Sequence, residues 1–253
     1  MIIVDTHVHV GLKQYVPVDE LLRQMDNYGV EKAVLVQYRA GLEPIGNTDN
    51  TYVAECTRKN PTRLAAVGIV DWTKHDGSER LEYWAKMHGI QGLRLDGNAT
   101  SPGQEKYAIW KKAAQLGIIV SVYGKIDKLS EIAGLFPDLK IHVEHTGMPN
   151  INGDLILTLA RFQNVFVKFT VAGLSGISKE PYPHRDVHPF FKKVCQRFGA
   201  KRIMWGSNYP PVLKDEGYER TLLFLSKEIP WLSSEEKEWI LGRTALGMWR
   251  FEE

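Results

Sequence analysis

Cysteine is scarce: 253 residues contain two, Cys56 and Cys195, both in stretches that read as helix. Two thiols cannot build a metal cluster by themselves, and reduced thiols in a reducing compartment are the default. Charge of one sign is lacking too. With 32 basic and 30 acidic residues the net charge is +2, which gives no reason to expect a nucleic-acid or membrane-surface partner. No apolar stretch is long enough to span a bilayer. A signal peptide is not expected, because Asp5 and His7 interrupt the opening apolar run almost at once, and a cytoplasmic location follows as the expectation. No glycine-rich phosphate loop opens any helix, which counts against a nucleotide-binding sheet. No low-complexity tract or linker divides the chain, so a single domain over 1–253 is expected.

What is present is an alternation. Short apolar, β-branched runs begin near Ile2, Lys32, Leu64, Ile90, Ile118, Lys140, Val165 and Arg202. Amphipathic helical patterns separate them: Leu21, Leu22, Met25 and Tyr28 recur at helical spacing before Gly29, and 52–59, 79–88, 107–116, 129–136, 154–162 and 190–198 read alike. Strands alternating with helices predict a parallel sheet. Eight such units fit a closed (β/α)8 barrel, regular or slightly distorted, better than an open sheet. Barrels of this kind build their sites from the ends of strands at the C-terminal mouth.

The strand ends are therefore where chemistry is expected. The first offers His7 and His9, two apart. Along a strand such side chains point the same way, with Cα atoms roughly 6.6 Å apart, so two imidazoles can converge on one metal ion or one substrate oxygen. The second ends in Gln37, Tyr38 and Arg39, and the third in Asp71 and Trp72. The fourth carries Arg94 and Asp96, the fifth Tyr123, the sixth His145, the seventh Lys168 and Thr170, and the eighth Asn208. The longest connection follows the seventh strand and contains His184 and His188. Arg94 suits a planar fork for a substrate carboxylate, or else a salt bridge to Asp96 or another barrel acid. Glu144 is expected to point away from His145, and His142 to be an interior histidine. Lys168 faces substrate or pairs with Glu144 or Asp5, and Asp5 anchors the imidazoles as outer carboxylates do.

Taken in order, Asp5-Thr6-His7-Val8-His9, Glu144-His145-Thr146-Gly147-Met148-Pro149, Asn164-Val165-Phe166-Val167-Lys168 and Arg202-Ile203-Met204-Trp205-Gly206-Ser207-Asn208-Tyr209-Pro210 resemble the amidohydrolase-2 branch of the amidohydrolase superfamily. Nearly the whole chain is covered, the first and eighth-strand motifs being the specific ones. The resemblance implies a (β/α)8 barrel and hydrolytic or decarboxylating chemistry on small carboxylated or lactone substrates. It implies a metal site at His7, His9 and His145. Two departures stand out: strand five ends in Tyr123 rather than a histidine, and Asn208 replaces the aspartate that ends strand eight. An amide is a weak neutral ligand and no base, so any zinc or manganese is expected to be weakly or partially bound.

The expected catalytic set is thus His7, His9, His145 and Asn208, with Arg94, Lys168, Tyr123, His184 and His188 on the substrate. The favoured reaction is water attack on a lactone or related carbonyl of a small organic acid, with a histidine as base. Imidazole meets the requirement for a base near working pH without perturbation. The alternatives are a metal-dependent decarboxylase and a barrel that only binds a ligand. The expected partner is a small molecule; an oligomer is left open.

Overall fold

The structure is a computed structural model and describes residues 1–38 and 47–253; Arg39 lies outside the described residues. Eight parallel strands run in chain order around one sheet: β1 (Val4–Val8), β2 (Lys32–Val36), β3 (Leu64–Gly68), β4 (Gly92–Asp96), β5 (Ile119–Tyr123), β6 (Ile141–Val143), β7 (Val165–Phe169) and β8 (Ile203–Trp205). The chain past β8 closes the barrel onto β1. Asn208 N–H donates to the His7 carbonyl at 2.9 Å, and His9 N–H donates to the Tyr209 carbonyl at 2.8 Å. The (β/α)8 barrel expected from the alternation is the one observed.

Helices cover the outside. Those at Val18–Tyr28, Gly77–His88 and Ala108–Leu116 each end on a glycine in the left-handed region, Gly29, Gly89 and Gly117, which satisfies the last carbonyls without a Cβ clash. The helix expected over 154–162 forms one α-turn, Leu155–Thr158, followed by a 3-10 turn, Leu159–Arg161. The helix expected over 190–198 begins earlier, at His188, with Pro189 in its first turn where a missing N–H costs nothing. No helix among the described residues is long and apolar enough to cross a membrane.

The barrel interior is layered. Its lower part is apolar: Val4, Val34, Val36, Ala65, Val67, Ile119 and Met204 pack together, with Met248 and Trp249 from the C-terminal segment closing the bottom. Above them the inward positions turn polar. His142, Ser121, Lys168, Arg94 and Glu144 are all buried, and this change marks the site.

Candidate active site

Side chains two apart share a face of a strand, so Val4 and His7 would point to opposite faces of a regular β1. A register shift between Asp5 and Val8 in the pairing with β2 changes the parity. Val4 joins the lower apolar layer and His7 still reaches the interior, where it is fully buried. Asp5 does not hold the imidazoles, as expected from sequence; it holds backbone. Its carboxylate accepts from Ser207 N–H at 2.8 Å and His7 N–H at 3.2 Å, and from the Tyr218 hydroxyl at 3.0 Å. This binds β1 to the segment after β8. The approach there is so close that a Cβ on Gly206 would lie 2.6 Å from His7 Cβ, so only glycine fits. Asn208 follows with φ 64°, and among the described residues its side-chain amide makes no hydrogen bond.

On β6 the alternation corrects the sequence reading. His142 and Glu144 share the inward face, so Glu144 points into the barrel rather than away from it. His145 would then face outward, but its φ of 50° swings it back. Non-glycine residues in this region are uncommon and cluster at functional sites; His145, Thr146, Met148 and Asn208 all adopt it at this mouth. The His145 ring centroid lies 4.6 Å from that of His7, and His9 lies 4.9 Å from His7 on the other side. His145 Nδ1 is 3.0 Å from Thr170 Oγ1, which also accepts from Gly173 N–H. His9 Nδ1 is 2.7 Å from the Val36 carbonyl. A carbonyl only accepts, so Nδ1 carries the hydrogen and Nε2 keeps its lone pair. His7 Nε2 is buried and has no hydrogen-bond partner among the described residues.

Beneath these rings sits Lys168, fully buried, its Nζ 3.3 Å from His7 Nδ1. It contacts the histidine, not an acid. Arg94 pairs with Glu144 through both ends of the carboxylate, Nε to Oε1 at 3.1 Å and Nη2 to Oε2 at 2.7 Å, and donates from Nη1 to the Gln37 carbonyl at 3.1 Å. Of the two sequence readings for Arg94, the barrel-acid pair is realised, with Glu144 rather than Asp96. Ser121 donates to Glu144 Oε1 at 2.6 Å, and the Tyr123 ring covers the guanidinium, its centroid 4.9 Å from Cζ.

Burial decides the protonation states. It pushes the His7 imidazolium far below its ordinary range, helped by Lys168, and brings His9 to about 3 and His145 to about 4. All three rings are neutral at neutral pH. Burial also brings Lys168 from 10.5 down to about 7, against the pull of Glu144. For Glu144 burial favours the acid form, yet Arg94, Lys168 and His145 hold its carboxyl well below the usual range.

His184 and His188 lie apart from this cluster. His184 uses both ring nitrogens, Nδ1 on the Glu180 carbonyl and Nε2 on Glu216 Oε1, each at 2.9 Å. His188 Nε2 bonds the Pro183 carbonyl at 2.8 Å. Tyr15, absent from the sequence reading, stacks on His9 at 5.2 Å between centroids; an isolated loop tyrosine carries no signal that would have found it. Ligand atoms of His7, Glu144 and His145 lie within 4.8 Å of one another. Imidazoles with one carboxylate are a donor set that zinc accepts, and the orphaned His7 Nε2 is consistent with a ligand there.

A barrel with histidines on β1 and after β6, converging at the C-terminal mouth, defines the class. The chain belongs to the amidohydrolase family, whose profile matches residues 4–251. It is similar to the L-fucono-1,5-lactonase of Burkholderia ambifaria, 29% identical over 200 residues that span 72% of this chain and 66% of that protein. It is also similar to the 2-pyrone-4,6-dicarboxylate hydrolase of Comamonas testosteroni, 26% identical over 247 residues, 84% of this chain and 78% of that one. An amidohydrolase from Burkholderia multivorans, solved with bound zinc, shares the fold over 100% of both chains with TM-score 0.75 at 18% identity.

Proposed function

We propose that this protein hydrolyses a lactone, or a related carbonyl, of a small organic acid. One arrangement carries the reading: three imidazoles that burial keeps neutral stand beside a guanidinium that, among the described residues, still has unengaged N–H groups. Arg94 holds a substrate carboxylate, and Tyr123 covers the face of the guanidinium. His9, with only a lone pair at Nε2, accepts a hydrogen bond from the attacking water, and Asn208 and His145 flank the reacting carbonyl. His7 changes role with Lys168. When the ammonium donates to Nδ1, Nε2 carries a hydrogen and polarises the carbonyl oxygen. When the amine accepts instead, Nε2 is a lone pair that takes a proton from water. Lys168, which titrates at about 7, is suited to receive that proton as His7 passes its Nδ1 hydrogen on; the imidazoles, held lower, relay the proton rather than keep it. His184 and His188, bonded elsewhere, do not enter the scheme.

A divalent ion, zinc or manganese, would be held by His7, His145 and Glu144 with His9 beside them, and would add Lewis-acid polarisation of the carbonyl. The zinc-bound relative and the donor set support this. The cationic Arg94 and the three hydrogen bonds Glu144 already accepts oppose it, so the binding is weak or partial.

Turnover of a panel of lactones and unsaturated carboxylates, before and after chelation and with added zinc or manganese, tests the reading. Acid release that matches ring opening is expected. Stoichiometric carbon dioxide would replace the hydrolase with a decarboxylase, and tight binding without turnover would leave a binding protein.

A further inference from the structure

A guanidinium has five N–H donors in one plane, and in Arg94 each can be accounted for. The side edge, Nε and one Nη2 hydrogen, is taken by the two oxygens of Glu144. One Nη1 hydrogen goes to the Gln37 carbonyl. Among the described residues, one hydrogen on Nη1 and one on Nη2 have no acceptor. The free Nη2 hydrogen lies on the end edge of the fork, turned away from the edge that Glu144 takes, where it can be given to a second carboxylate. Arg94 keeps 7% of its surface, whereas Glu144 has none. The acid is therefore the inner partner and the guanidinium stands between it and the mouth. Ser121 fixes Oε1 from the neighbouring strand at 2.6 Å, so the carboxylate is itself held.

We infer that Glu144 is a positioning residue: it locks the side edge of Arg94 so that the end edge is presented to a carboxylate of the substrate. The inference rests on the hydrolase reading for the identity of that substrate, but not for the grip itself. Charge alone predicts the reverse behaviour. If Glu144 only offset positive charge, its removal would leave the site more cationic and tighten the binding of an anion. If it sets the plane of the fork, its removal weakens that binding although the site has gained positive charge.

The sign of that change is the test. Benzene-1,3-dicarboxylate is unreactive, and its diamide has the same shape without the charge. Binding of both is measured by calorimetry on chelator-treated protein, for the unsubstituted chain and for Glu144→Gln, Glu144→Asp and Ser121→Ala. The unsubstituted chain is expected to prefer the dicarboxylate. Glu144→Gln should weaken dicarboxylate binding by about tenfold or more, a change equivalent to about 1.4 kcal/mol, and leave the diamide unmoved. Glu144→Asp, which keeps the charge and loses one methylene of reach, should move the same way, and Ser121→Ala by about twofold to threefold. Should Glu144→Gln fail to fold, the other two variants decide. Unchanged or tighter dicarboxylate binding in the folded variants overturns the inference, as does equal loss for both probes or a chain that binds neither. A chain that shows the expected pattern and hydrolyses no lactone would refute the proposed reaction and leave the positioning role standing.

Discussion

The two halves of the barrel interior are lined by the same strands and hold opposite chemistry. The lower half, from Val4 to Met204 and closed by Trp249, is apolar and held by packing. The upper half buries Arg94, Glu144, Lys168 and His7, groups that cost several kcal/mol each to remove from water unless paired. His142 marks the frontier, with neither ring nitrogen bonded among the described residues and its ring 5.9 Å from that of Trp249. The lower half needs only volume and shape, whereas the upper half is held by reciprocal partners. Damage should therefore be repairable above in a way that it is not below.

The largest effect tests that contrast directly. Glu144→Ala strands a buried guanidinium and should cost about 3–5 kcal/mol in urea unfolding, whereas the double variant Arg94→Met with Glu144→Leu should be neutral or gain about 1–4 kcal/mol while losing its grip on carboxylates. In the lower half Trp249→Ala should also cost about 3–5 kcal/mol, and no second substitution of charge can restore it. A double variant as unstable as Glu144→Ala would erase the distinction.

Next comes Lys168→Met. It should reduce kcat by about 10²–10⁴-fold, the usual worth of a general base, and abolish a rise in kcat/KM through pH 7. Its effect on stability should have the opposite sign. Burial lowers the folded pKa of Lys168 to about 7 from 10.5, so the folded chain carries an uncomfortable charge below pH 7 and is relieved of it between pH 7 and 10.5. Relative to Lys168→Met, the unsubstituted chain should thus be least stable below pH 7 and gain steadily as pH rises towards 10.5. Melting curves across that range check the slope; a flat difference would mean the amine keeps its ordinary pKa and stays protonated in the folded chain.

The smallest effect concerns the amide after β8. Asn208→Asp should bind zinc or manganese about tenfold more tightly, equivalent to about 1.4 kcal/mol, and gain hydrolysis with added metal. Lower activity without tighter binding would give the asparagine a function of its own. In the unsubstituted chain, elemental analysis after mild chelation should find little metal, and one firmly held equivalent would contradict the reading.

Much of this was legible in the sequence. The strands are apolar runs bounded by turn residues, and His7 and His9 both reach the site even though β1 changes register around His7, between Asp5 and Val8. Glu144 was not read in the right orientation, because its placement was taken from His145 by continuing the pleat, and the left-handed φ of His145 could not be foreseen. Alternation from His142 alone would have turned Glu144 inward. The contact of Lys168 with His7 spans 161 residues and leaves no local trace. His184 and His188 looked available because sequence displays their imidazoles but not the carbonyls of Glu180 and Pro183 that engage them.

The closure of the barrel has a consequence for how the site comes into being. Among the described residues, two backbone-to-backbone hydrogen bonds run along the seam where the chain past β8 meets β1, and His7, His9 and Asn208 supply three of the four residues that make them. The clasp of the fold and the centre of its chemistry are one stretch of chain. A chain that has laid down seven strands has no working fraction of its site, because the last stitch that makes the cylinder also brings Asn208 beside His7. A small molecule bound across that stitch would hold the whole cylinder shut, so occupancy at the mouth would be felt as resistance to unravelling throughout the chain.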